Sequence, residues 1–172
     1  MALKIEVAEL GLQAIDGLDV DAIAVFVGPE RPLQGFAGFA DWRLCGAISR
    51  AIRSGLFAAG PDEALLLPSG GRIAPPRVFC FGLPSVPLSP EAFLHASRAA
   101  CEALARAGSD AFATAMPPLA GGDGGLAGKL WLAASLVRPV RRQGVLGEAR
   151  PLQRDLTAAR NALGVEVEVL AP

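Results

Sequence analysis

The chain has 172 residues, a formal net charge of −1 at pH 7 and three cysteines. A near-neutral charge argues against a general nucleic-acid binder. A chain of this length can form one domain whose core needs no disulfide or metal. The apolar runs fall short of the roughly 18 residues that a membrane span requires, and Lys4 and Glu6 interrupt any signal peptide. We therefore expect a single cytoplasmic domain over residues 1–172 with reduced, buried cysteines.

The first half of the chain predicts four strands. Leu3 to Leu10 alternates apolar and polar residues, which indicates a half-buried strand near an edge. Ala22 to Gly28 is continuously apolar, which is typical of a central strand covered on both faces. Two short apolar strands, Ala64 to Leu67 and Val78 to Phe81, flank a turn at Ser69 to Arg72. The N-terminal strand is expected to make the sheet mixed.

Asp41 predicts the start of a helix over about Trp42 to Ser54, because its carboxylate can accept hydrogen bonds from the free amides of a first turn. Gly55 suits the position just after that helix. The side chain of Trp42 is expected to pack on the loop Phe36 to Phe39.

The second half of the chain predicts helices that alternate with strands. The elements are a helix from Ser89 to Gly108, a strand from Asp110 to Met116, a helix from Leu126 to Leu136, a helix from Pro151 to Leu163 and a strand from Val165 to Val169. The stretch Arg138 to Ala149 is polar and gives no clear prediction. Strands that alternate with helices imply a layered α/β fold.

An ordered set of motifs occurs between Gly35 and Pro84. It consists of Asp41-Trp42-Arg43-Leu44 at the helix start, Gly55-Leu56-Phe57, the strand Glu63 to Leu67 and a strand that ends in Gly82-Leu83-Pro84. This order resembles the N-terminal domain of the leucyl aminopeptidase family. The resemblance implies a three-layer α/β/α macro-domain-like fold with a mixed, mostly parallel central sheet.

The catalytic machinery of that family lies in a separate domain, whose signature NTDAEGR does not occur in this sequence. Its mechanism needs a metal pair to activate water, whereas the carboxylates here are scattered and His95 is the only histidine. The resemblance therefore implies a non-catalytic, stand-alone module for interaction or regulation, with no catalytic residue, metal or cofactor. Its expected partner is a catalytic aminopeptidase chain or a second copy of itself. One half of a split aminopeptidase is an alternative.

Small-molecule binding is a further alternative. The run Val20 to Val25 resembles the strand that opens the ligand site of ADP-ribose-binding macro domains, although Phe26-Val27-Gly28-Pro29 replaces their Asn-Ala-Ala-Asn run. A Gly-rich loop also precedes a predicted helix, whose free amides could hold an anion, while Asp123 in that loop would repel one. The candidate residues for an ADP-ribose or nucleotide-like ligand are Asp21, Gly28, Gly121, Gly122, Gly124 and Gly125. A flexible turn is the structural alternative for the loop.

A small basic cluster occurs near the C-terminal end of the chain. It comprises Arg138, Arg141 and Arg142, with Arg150 and Arg154 nearby. So few phosphate contacts would give only modest attraction to a nucleic acid. A solvated face or a partner contact is the better interpretation.

Overall fold

The structure is a computed structural model, and it describes residues 2–171. Strands and helices alternate along most of the chain. The strands are β1 (Leu3–Glu9), β2 (Ala22–Val27), β3 (Ala64–Pro68), β4 (Arg77–Gly82), β5 (Ala111–Thr114), β6 (Arg142–Gly147) and β7 (Val167–Leu170). The helices are α1 (Leu12–Asp16), α2 (Gly35–Arg43), α3 (Ala47–Arg53), α4 (Pro90–Arg106), α5 (Gly124–Ser135) and α6 (Ala149–Leu163).

The strands form one sheet in the order β3-β4-β2-β5-β6-β1-β7. All neighbouring pairs are parallel except β3 and β4, which are antiparallel. The predicted mixed, mostly parallel sheet is confirmed. The prediction that the N-terminal strand is the antiparallel member is wrong, because β1 is parallel to both of its neighbours. The connection from β3 to β4 begins with the predicted turn, where the N–H of Arg72 donates to the carbonyl of Ser69. It is too short for the crossover that parallel strands need.

The two faces of the sheet are covered by different helices. In β2, Ala22 and Ala24 face one core, while Ile23, Val25 and Val27 face the other. The first core contains side chains of α4, α5 and α6, and the second contains side chains of α1, α2 and α3. The predicted three-layer α/β/α architecture is therefore confirmed, with β2 covered on both faces. None of the helices among residues 2–171 is long and apolar enough to cross a membrane.

The single helix predicted over Trp42 to Ser54 is wrong, because the structure has two helices there. Helix α2 already begins at Gly35, and α3 follows it after a break. Cys45 and Gly46 form the break with positive φ angles of 53° and 78°, which a continuous right-handed helix does not allow. Asp41 does act as a helix cap, but it lies inside α2 and caps α3.

Strand β6 lies within the stretch 138–149, which gave no clear prediction, and it pairs with both β5 and β1. Its pattern is hidden because the polar Gln143 and the small Gly144 occupy its centre. Gln143 is fully buried, and its Oε1 accepts a hydrogen bond of 3.1 Å from the indole Nε1–H of Trp131. A polar residue of this strand therefore serves the core by satisfying a buried tryptophan.

Candidate functional site

A cavity of about 370 Å³ opens at the carboxyl edge of the sheet, and we call it the carboxyl-edge pocket. It lies beyond the ends of β2, β4 and β5, where open α/β sheets commonly bind ligands. Most of its wall is apolar. The principal apolar side chains are those of Phe26, Leu33, Phe36, Leu83, Val86 and Met116.

Glu30 supplies the charged group of this pocket. Its carboxylate lies against Gly28 and fills the space that a Cβ on Gly28 would need. The guanidinium of Arg31 donates to the backbone oxygens of Gly28, at 2.8 Å, and Glu30, at 2.6 Å. Arg31 thus fixes the loop, and no ion pair or hydrogen bond joins the Glu30 carboxylate to another residue among 2–171.

The first turn of α2 forms a further wall of the pocket, from Gln34 to Ala37. Gln34 occupies the N-cap position, but its side chain does not cap the helix; its Nε2 donates instead to the carbonyl of Pro32 at 3.1 Å. The amides of this first turn therefore have no side-chain cap. The positive end of a helix dipole borders a largely apolar cavity.

Asp21 lies at the opposite edge of the sheet from Gly28, because the whole of β2 separates the two residues. Its carboxylate accepts hydrogen bonds from Nη2 of Arg77 at 2.7 Å and from the amides of Asp110, at 2.8 Å, and Ala111, at 3.2 Å. Burial raises the pKa of Asp21, but the hydrogen bonds from Ala111, Asp110 and Arg77 outweigh burial and hold that pKa below its ordinary 3.8. Asp21 thus ties together the starts of β2, β4 and β5.

The Gly-rich loop Gly121 to Gly125 follows β5 but does not line the carboxyl-edge pocket. Its first two glycines have φ angles of 86° and 64° and form a turn. Asp123 caps α5, since its Oδ1 accepts a hydrogen bond of 3.1 Å from the N–H of Leu126. A Cβ on Gly124 would meet only the carboxylate of Asp155, whereas a Cβ on Gly128 would lie 3.0 Å from the backbone oxygen of Asp155, so Gly128 permits the close packing of α5 on α6. Of the six predicted ligand-binding residues, only Gly28 lines the pocket.

A wider concavity of about 1000 Å³ lies beside α2, and we call it the Trp42 surface. It is lined by Leu12, Pro32, Leu33, Gln34, Gly35, Gly38, Phe39, Asp41, Trp42, Arg43, Cys45, Gly46 and Ser49. Arg43 borders it and binds Asp16 of α1, with Nε 2.7 Å from Oδ1. The segment Leu33 to Gly35 lines both this surface and the carboxyl-edge pocket.

Trp42 is 72% exposed, so the expectation that it packs as a local staple is wrong. The buried stripe of α2 is made by Phe36, Ala37 and Ala40. Trp42 is two residues beyond Ala40, which places it on the other side of the helix. The second tryptophan, Trp131, is fully buried in the core.

The remaining candidate side chains have structural surroundings. The side chain of His95 on α4 is 68% exposed, and its Nε2 pairs with the carboxylate of Asp62. The expectation of buried cysteines holds for Cys80 and Cys101 but is wrong for Cys45, which is exposed at the helix break. No group of three or more His, Cys, Asp and Glu side chains that could hold a metal occurs among residues 2–171.

Two of the five arginines in and near the basic cluster are held by acidic groups, and in one of the two pairs Nε of Arg154 lies 3.0 Å from Oδ1 of Asp155. Arg142 pairs with Glu6 through Nη1 at 3.5 Å and with Asp19 through Nη2 at 3.6 Å. It therefore ties β6 to β1 and to the loop before β2. This pairing leaves less of the positive charge of Arg142 for a nucleic acid.

Glu30 and Gln34 were missed from the sequence. A signal was present, because the loop from Pro29 directly follows the most apolar predicted strand. Loops at the carboxyl ends of parallel strands form the ligand crevice of such sheets. The same rule, applied to β2, would have excluded Asp21, which precedes that strand.

Comparison with protein-family models and with curated proteins finds no match for the sequence. Solved structures share the fold. A mutant of tomato leucine aminopeptidase superposes with a TM-score of 0.63 and 15% identity, over 94% of this chain and 36% of that chain. A mutant of the Oceanobacillus iheyensis macrodomain superposes with a TM-score of 0.63 and 14% identity, over 93% of this chain and 89% of that chain. The macrodomain of Mycobacterium tuberculosis DarG superposes with a TM-score of 0.62 and 13% identity, over 83% of this chain and 97% of that chain.

These identities are low, so the likeness shows the fold alone. The predicted macro-domain-like fold is confirmed. The chain spans about a third of the aminopeptidase chain and most of each macrodomain chain.

Proposed function

We propose that this chain is a non-catalytic interaction module that docks on a metallo-aminopeptidase chain through the Trp42 surface. The observation that carries the proposal is the 72% exposure of Trp42 beside a wide concavity, with Phe39 and Leu12 next to it. Tryptophan is enriched at protein interfaces and often contributes a large share of their binding energy. A side chain of this size adds little to the stability of its own fold when it is exposed.

The choice of partner is supported by the fold comparison. The tomato leucine aminopeptidase contains a region of this fold that accounts for 36% of its chain. A domain with this fold can therefore be one part of a longer polypeptide. A separate chain with the same fold would supply that domain as a subunit.

Sedimentation velocity tests the proposal with the full chain and the leucine aminopeptidase of the same organism. The wild-type chain should form a mixed species, and Trp42→Ala should weaken it by at least about tenfold. Leu163→Ala is the matched control, because Leu163 is also an exposed apolar residue but lies on α6, across the sheet. Chains that remain separate contradict the proposal. A Trp42-dependent dimer of this chain alone would assign the surface to self-association.

An assay of leucyl-amide hydrolysis separates this module from a split or complete aminopeptidase. The purified chain should show no activity with added Mn²⁺ or Zn²⁺, because the mechanism needs a metal pair to activate water. Activity that survives purification to a single chain would contradict the non-catalytic role.

Small-molecule binding at the carboxyl-edge pocket is the second candidate function. It is favoured by the pocket itself and by the extent of the macrodomain likeness, which covers most of both chains. One structure of the Oceanobacillus iheyensis macrodomain contains ADPR. Calorimetry with ADP-ribose tests the nucleotide-like form of this function, and an absence of heat at millimolar ligand would contradict that form.

A further inference from the structure

We propose that the carboxyl-edge pocket binds a free α-amino acid with an apolar side chain of about the size of leucine. This inference rests on the second candidate function, small-molecule binding at this pocket, and names its ligand class. Three observations support it: an apolar wall, an unpaired carboxylate at the rim and an uncapped helix N-terminus.

The wall of the pocket suits an apolar side chain. Phe36 and Leu83 are 5% and 3% exposed, so the wall is part of the packed core. Met116 is half-buried beside them, and its flexible thioether side chain can adapt to ligands of different shape. Only Glu30 and Gln34 contribute polar side chains to the lining. None of the lining residues is Lys, Arg, Ser or Thr, so the side chains of the wall supply no cation or hydroxyl for a diphosphate.

The Glu30 carboxylate favours a positively charged group. It lines the pocket and lies over Gly28, and Arg31 binds the backbone of the loop rather than this carboxylate. An ammonium group is the natural partner, because charge-assisted hydrogen bonds to a carboxylate are among the stronger ones in proteins. The same carboxylate would repel a ligand that carried only negative charge.

The first turn of α2 favours a carboxylate. Its amides have no side-chain cap, and residues Gln34 to Ala37 line the same cavity as Glu30. Free amides and the helix dipole together stabilise an anion at such an end. A small ligand with an apolar body, an ammonium group and a carboxylate satisfies all three features, and a free apolar amino acid has this composition.

The volume of the pocket agrees with a ligand of this size. Its 370 Å³ lies near the lower end of the range of about 300–1,000 Å³ that is usual for ligand pockets. An amino acid of the size of leucine is smaller than the drug-sized ligands that such pockets bind, and it therefore fits inside this volume.

Isothermal titration calorimetry of the full chain tests the inference with four probes. L-leucine contains both charges, 3-methylbutylamine has only the ammonium group, 4-methylpentanoate has only the carboxylate, and ADP-ribose represents the nucleotide class. Leucine should bind at least about tenfold more tightly than either single-charge analogue, since each lost charge-assisted contact costs about that factor.

Two variants assign the two charged contacts. Glu30→Gln keeps the shape of the side chain and should weaken leucine about tenfold without weakening 4-methylpentanoate. Glu166→Gln, at an exposed glutamate outside the pocket, is the matched control and should bind as the wild type does. Gln34→Asp adds a favoured N-cap residue, so α2 stays folded while its amides become occupied. It should weaken leucine and 4-methylpentanoate but not 3-methylbutylamine.

The outcomes separate this inference from the function on which it rests. Binding of ADP-ribose without binding of leucine overturns the inference and leaves small-molecule binding intact. Heat from none of the four probes overturns this inference and also the nucleotide-like form of small-molecule binding. Equal affinities for leucine and the two analogues, or an unchanged leucine affinity in Glu30→Gln, would overturn the assignment of an amino acid.

Discussion

The carboxylate of Asp41 and the backbone N–H of Ser49 are joined by a hydrogen bond of 3.1 Å across the break between α2 and α3. The same Oδ1 accepts from the N–H of Ile48 at 2.9 Å, and Oδ2 accepts from the Ser49 hydroxyl. A residue of one helix thus satisfies free first-turn donors of the next helix. This contact fixes the angle at which the two helices meet.

Asp41→Ala should lower the free energy of unfolding by about 1–2 kcal/mol, because the cap of α3 is lost. Asp41→Asn keeps one acceptor oxygen and should lose less. Urea unfolding monitored by circular dichroism measures both variants. A wild-type midpoint in Asp41→Ala would show that the cap contributes nothing.

Replacing each of two buried serines with alanine should change the stability of the protein in opposite directions. The hydroxyl of Ser97 on α4 is fully buried and has no hydrogen-bond partner within residues 2–171, so Ser97→Ala should stabilise the protein by about 0.5–1 kcal/mol. The hydroxyl of Ser135 donates to Oε1 of Gln143 at 3.3 Å, so Ser135→Ala should destabilise it by about 1 kcal/mol. Thermal and urea unfolding measure the pair. A loss of stability in both would mean that Ser97 has a partner, such as a buried water.

The pKa of Asp21 predicts a loss of stability in acid. Burial raises that pKa, but the hydrogen bonds of Ala111, Asp110 and Arg77 bring it below 3.8. A lowered carboxyl pKa contributes stability that is complete above the unfolded value and is lost as the pH falls through the folded value. Asp21→Asn should therefore cost about 1 kcal/mol at pH 7, allowing for its partial exposure. The cost should shrink towards the acid end of a series of urea titrations, and a constant difference at every pH would contradict this origin.

The cysteines should differ in reactivity. Cys45 is exposed, whereas burial raises the pKa of Cys80 and Cys101 to about 12 in both cases. Ellman's reagent should therefore label one thiol of the folded protein rapidly and all three after unfolding, because the thiolate is the reactive form. Cys45→Ser should remove the rapid phase. A rapid phase that persists in this variant would mean that a buried cysteine becomes accessible in the folded state.

Local signals in the sequence predicted much of the fold. Helix α4 begins as expected, with Pro90 at its first position and the hydroxyl of Ser89 accepting from the N–H of Ala92 at 3.2 Å. The sequence also predicted that Asp41 caps a helix, but it did not predict that the capped helix is α3. The cap acts seven and eight residues along the chain, beyond the helix break at Cys45 and Gly46, which apolar spacing does not encode.

The candidate site was less predictable, because it depends on which strands end side by side. The order of the strands places Gly28, Leu83 and Met116 around one cavity, although they are far apart in the sequence. The contribution of Glu30 depends on how Arg31 folds over the loop, which no periodicity reveals. Asp21 was predicted to bind a ligand because it is an acidic residue beside an apolar strand. It does not reach the pocket because it precedes β2, whereas the pocket lies beyond the end of that strand.

The segment Leu33 to Gly35 has the carboxyl-edge pocket on one side and the Trp42 surface on the other. A small molecule in the first and a protein on the second would press on the same three residues. If each ligand favours one arrangement of this segment over another, their binding free energies are coupled. The coupling is then reciprocal, so the factor by which the small molecule changes the affinity for the protein equals the factor by which the protein changes the affinity for the small molecule. If both proposed sites are occupied, this one short loop would be the point at which the chain links a metabolite level to its protein neighbour.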